Sequence, residues 1–116
     1  FTAFGSPFSY IVAVATTKFY QDQPTAYSAF VAALEETLDF INEHPVEAAE
    51  ILARVEKTVP AATYEEHLTW PGTSWDITPV GIMHYAKNMQ NYGYMDRIPE
   101  TWQDVTFPNL HQLPGS

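Results

Sequence analysis

The sequence predicts an α/β chain, mostly helical with one to three strands. Three observations carry that expectation. Ser9–Thr17 is an apolar run rich in β-branched residues, entered from the turn-like Gly5-Ser6-Pro7. Pro24 and Pro45 each open a stretch with helical apolar spacing, at the position where a missing N–H and a preset φ suit the first turn of a helix. Further helical patterns follow between Pro60 and Gly93. At 116 residues, 46% hydrophobic and 15% aromatic, the chain has the size and apolar content of one globular domain.

Ser9–Thr17 is nearly continuous in its apolar character. A lone strand of that kind cannot satisfy its own backbone, so its neighbours have to come from elsewhere. From Pro24 to Ile41 or Glu43, Phe30, Leu34, Leu38 and Ile41 recur at spacings of three and four and share a helical face, with Glu35, Glu36, Asp39 and Glu43 largely off it. Asn42-Glu43-His44-Pro45 then starts a second helix almost without a loop. From Pro45 to Lys57, Val46, Ala49, Leu52 and Val55 repeat every third residue. Glu47 and Glu50 sit near the positive end of the helix dipole, and Lys57 at its negative end.

A shorter helix is expected to begin between Pro60 and Thr63, where Thr63-Tyr-Glu-Glu66 has capping-box spacing, and to run to Thr69. Trp70-Pro-Gly-Thr-Ser-Trp75 is rich in turn residues. Thr78 then reads as an N-cap ahead of Pro79, opening a helix whose face is Ile82, Tyr85 or Ala86, Met89 and Tyr92, with Gly93 as a left-handed C-terminal cap. Asp96–Trp102 reads as a short helical turn leading into a proline-broken tail.

Charge and composition exclude several function classes. Five Lys and Arg against fourteen Asp and Glu give a net charge of -9, and the cations are scattered, so phosphate backbones and anionic lipid are poor partners. With no cysteine there are no disulfides, thiolate nucleophiles or sulfur-ligated metals. No apolar run reaches the roughly 18 residues of a membrane span. The start Phe1-Thr-Ala-Phe4 lacks both Met and the pattern of a secretory signal, and it reads as the start of a mature product or a fragment.

The residues offer no catalytic constellation. His44, His67, His84 and His111 stand far apart and form no metal spacing. Glu65-Glu66-His67 are consecutive and point in different directions on a helix. Ser6 and Ser9 lack a nucleophile elbow, and five glycines make neither a phosphate loop nor a dinucleotide fingerprint. Trp70 and Trp75 beside Asp76 read either as an aromatic ligand wall with a polar handle or as the end of a helical core. Met83 and Met89 read as core-facing.

The order of these words carries a resemblance. An apolar strand, Thr17-Lys-Phe-Tyr-Gln-Asp-Gln-Pro24, Ala29-Phe-Val-Ala-Ala-Leu34 and Phe40-Ile-Asn-Glu-His-Pro45-Val-Glu-Ala-Ala49 resemble the C-terminal part of type II periplasmic solute-binding proteins of ABC importers. More narrowly, they are similar to the nitrate/sulfonate/taurine and thiamine-precursor class. Trp75-Asp-Ile-Thr-Pro79-Val-Gly81, Tyr85-Ala86, Met89, Gly93, Pro99 and Trp102-Gln-Asp104 look like that class's closing helices and tail.

The resemblance implies a C-terminal segment of a two-lobed receptor, with residues 1–18 as the hinge-crossing strand region and 19–116 as helices packing on the lobes. It implies capture of a small solute, a small anion or a pyrimidine, and delivery to an ABC permease, without catalysis, cofactor or metal and without nucleic acid. A periplasmic or membrane-anchored extracellular location goes with it. Ser6, Phe8 and Tyr10 are the candidate ligand-binding residues near the crossing, Ser6 as a hydrogen-bond donor and Phe8 or Tyr10 as a stacking surface, with hinge packing as the plainer role. As a fragment, such a chain would leave its strand exposed or exchange it with a second copy. The rival reading is a self-contained helical interaction domain that binds a partner protein through Phe30, Leu34, Leu38 and Ile41.

Overall fold

A computed structural model describes residues 5–116. The described chain divides into two compact units, one of Ala15–Ile77 and one of the residues up to Val14 together with Thr78–Ser116.

The Ala15–Ile77 unit is an array of four helices: α1 (Thr17–Asp22), α2 (Pro24–Glu43), α3 (Pro45–Glu56) and α4 (Ala61–Leu68). The sequence reading has no helix at α1. Thr16 starts it, its Oγ1 accepting the Phe19 N–H at 3.0 Å, and an ion pair between Lys18 and Asp22 spans one turn. Pro24 opens α2 from Gln23, the residue that also closes α1 by donating its N–H to Phe19 O. That tight junction folds α2 back so that buried Tyr27 meets the Tyr20 ring edge-on, with centroids 4.9 Å apart.

His44 is the whole connection between α2 and α3. Its N–H donates to Phe40 O at 2.8 Å, and its own carbonyl accepts the Ala48 N–H at 3.0 Å. One residue caps both helices because Pro45 cannot continue α2 yet suits the first position of α3. α3 ends at Lys57, a non-glycine residue in the left-handed region with φ 54°.

α3 packs on α4 around Ala48, Ala49 and Leu68, with Phe40, Ile41, Leu52, Tyr64 and Trp75 against them. Of the α3 face expected from the sequence, Ala49 and Leu52 pack inward, whereas Val46 and Val55 are exposed. The reason is geometric. At about 100° per residue a spacing of three drifts by about 60° each step, so Val46 and Val55 lie on opposite sides of the helix. The true stripe adds Ala48 to Ala49 and Leu52, so that Ala48 and Leu52 stand four apart with Ala49 between them. α4 starts one residue after Pro60, which serves as its N-cap, so the Thr63–Glu66 capping box lies inside the helix and caps nothing.

The second unit holds α5 (Ile82–Asn91) and two short 3₁₀ turns, Trp102–Val105 and Pro108–Leu110. α5 starts three residues later than Thr78 and Pro79 suggest, because the backbone of residues 79–82 is engaged elsewhere. Ser9 N–H donates to Val80 O at 2.8 Å, Val80 N–H donates to Ser9 Oγ at 3.0 Å, and Ser116 N–H donates to Pro79 O at 3.0 Å. Gly81 N–H donates to Ser116 Oγ and Ile82 N–H to Ser116 O, so the tail caps the helix. At the other end, Gly93 N–H donates to Gln90 O and Tyr94 N–H to Met89 O, the pair of bonds of a Schellman motif around Gly93. Trp102 is buried, with the His111 ring edge-on at 5.8 Å.

The α/β expectation is overturned. Among the described residues there is no strand and no sheet. The chain bends at Ile11, and Thr17, the last residue of the expected strand, is the first of α1. Ser9 bonds to Val80, but among the described residues the backbone of Ile11–Val14 makes no hydrogen bond. High β-propensity does not make a strand where no second backbone is present to complete a ladder. The run stays irregular and apolar, with Tyr10 83% and Val14 86% exposed.

Candidate functional site

Every third or fourth residue along one side of α2, namely Glu35, Leu38, Asp39 and Asn42, faces a cavity of about 290 Å³ closed by Trp75, Asp76 and Ile77. All seven residues belong to the Ala15–Ile77 unit. Two hydrogen bonds hold the wall in place. Trp75 Nε1–H donates to Leu68 O at 2.9 Å, at the end of α4, and Asn42 Nδ2–H donates to Trp75 O at 2.7 Å. The indole is thereby fixed between α2 and α4 while it also packs on the Ala48–Ala49–Leu68 cluster.

From the sequence, Trp70, Trp75 and Asp76 read either as an aromatic ligand wall or as the end of a helical core. Trp75 and Asp76 line the cavity, whereas Trp70 does not and is largely exposed. Glu35, Asp39 and Asn42 add polar groups that the sequence reading did not assign to a site. Their spacing of four and three on one helix was the available signal, but nothing local says that residues 75–77 return to cover that face. Three carboxylates at one opening repel an anion. The lining holds no histidine, thiol or hydroxyl, and its titratable groups are the carboxyls of Glu35, Asp39 and Asp76.

The candidate ligand residues Ser6, Phe8 and Tyr10 lie in the other unit. Phe8 is half-buried and makes edge-to-face contacts with Tyr85 of α5, centroids 5.5 Å apart, and with Tyr10 at 6.4 Å. The structure thus joins two of the three residues and adds Tyr85, which the sequence reading treated as part of a helix face. Ser6 is exposed and, among the described residues, hydrogen-bonds to nothing. Ser9, which the sequence reading set aside as lacking a nucleophile elbow, anchors this aromatic group by its two bonds to Val80.

The histidines remain separate. His44 lies 4.0 Å from Glu43 with its ring tilted over Phe40, and the His111 ring contacts Trp102 and the Thr106 carbonyl. Among the described residues no group of His, Asp and Glu is arranged to hold a metal ion. No helix among them is long and apolar enough to cross a membrane. No family model matches the chain, and neither a curated protein nor a solved structure matches it.

Proposed function

We propose that this chain is a segment of the solute-binding component of an ABC-type importer, of the nitrate/sulfonate/taurine or thiamine-precursor class. In that role it helps to capture a small solute, in the periplasm or outside the cell as a membrane-anchored protein, and to deliver it to a permease without making or breaking a bond. The reading rests on the ordered resemblance of its helical words. The structural observation that carries it is the small share of apolar surface the chain buries for itself. Of a chain that is 46% hydrophobic, six apolar residues among those described are buried: Tyr27, Ala48, Ala49, Leu68, Ala86 and Trp102. Phe30, Val46, Ile51 and Val55 present apolar surface on α2 and α3, and Tyr10–Val14 does so ahead of α1. Surfaces of that extent mark contact with another body.

In this reading one ring among Phe8, Tyr10 and Tyr85, which meet edge to face, offers its face to a planar solute, and exposed Ser6 can donate a hydrogen bond. In this reading the acidic cavity under Trp75, which repels an anion, is not the place where an anionic solute is captured. A second reading, a helical domain that binds a partner protein, has Phe30 in its favour, since that residue is exposed on α2. Ile41, from the same expected face, is committed to the core cluster and weakens it.

Calorimetric titration of the full gene product and of residues 1–116 alone, against nitrate, taurine, an alkanesulfonate and a phosphorylated pyrimidine, tests the proposal. The full product is expected to bind one of them and the 116 residues alone to bind none, because the rest of the cleft is missing. Tight stoichiometric binding by the 116 residues, or no binding by the full product to any of the four, overturns it.

A further inference from the structure

We draw no further inference here: the strongest candidate, the exposed apolar run Tyr10–Val14 ahead of α1, carries none because nothing in the structure shows what covers it.

Discussion

Asn42 and Trp75, thirty-three residues apart in the chain, are joined by a 2.7 Å hydrogen bond from the Asn42 side-chain amide to the Trp75 carbonyl. The bond ties the last turn of α2 to the segment after α4. With the indole N–H donated to Leu68 O, it makes Trp75 the meeting point of three elements. Substituting Asn42→Ala removes the donor, and the expected loss is about 1 kcal/mol of stability. Trp75→Phe removes the second bond and part of the ring, for a loss of about 1–3 kcal/mol. Urea unfolding of the two single variants and the double variant should give less than the sum of the single losses, because both bonds hold one residue, one through its carbonyl and one through its ring. Full additivity would mean that the two bonds do not cooperate in holding Trp75.

Ala49 is 1% exposed where α3 crosses α4, while Val55, on the same helix, is 69% exposed. Ala49→Leu is expected to cost about 1–3 kcal/mol through overpacking. Val55→Ala should stay within about 0.5 kcal/mol. Thermal unfolding followed by helix circular dichroism separates the two. A reversed ranking would place Val55, and not Ala49, against α4.

Gly81 has φ +71°, and a Cβ added there would stand 2.8 Å from Phe8 Cβ. Left-handed strain of about 1–2 kcal/mol adds to the cost of displacing Phe8. Gly81→Ala is therefore expected to lose roughly 2–4 kcal/mol and to disturb the Phe8–Tyr85 ring contact. Aromatic shifts in a proton NMR spectrum would report that disturbance, and unchanged Tyr85 resonances would count against it.

Lys57 closes α3 in the left-handed region with no glycine to relieve it. Lys57→Gly removes strain of about 1–2 kcal/mol and adds unfolded-state entropy worth about 0.4–1 kcal/mol. The expected outcome is a net gain of up to about 1 kcal/mol in urea unfolding, and a destabilised variant would show that the Lys57 side chain contributes more than its backbone costs.

Ser116 supplies the carbonyl and hydroxyl that accept the Ile82 and Gly81 N–H groups. Removing Gly115 and Ser116 leaves the start of α5 uncapped. Amide hydrogen exchange at residues 81–84 should then quicken well beyond that in α3. Unchanged exchange would mean that water replaces the tail without loss.

Where the chain carries its own punctuation, the elements were legible. Pro24 and Pro45 set helix starts, and Gly93 set a helix end, because φ restriction and a missing N–H act on the residue itself. α1 escaped notice because Thr16, its cap, sits inside a run whose composition favours a strand. The start of α5 moved from Pro79 to Ile82 because Ser9 and Ser116, distant in sequence, took up the backbone groups between. Of the candidate ligand residues, Phe8 and Tyr10 do meet, yet Tyr85, whose ring packs on Phe8, was visible only as one position on a helix face.

Local chemistry by itself therefore determined that the stretches of α2, α3 and α4 coil into helices, where prolines and glycine interrupt them, and that no cysteine, metal spacing or basic patch is present. Tertiary structure decided that Ser9–Thr17 is not a strand, which third of α3 is buried, and which side chains gather around Trp75 and Phe8. The physical reason is that a helix closes its hydrogen bonds within its own segment, whereas a strand, a buried face and a cavity each need a second piece of chain whose arrival no local pattern encodes.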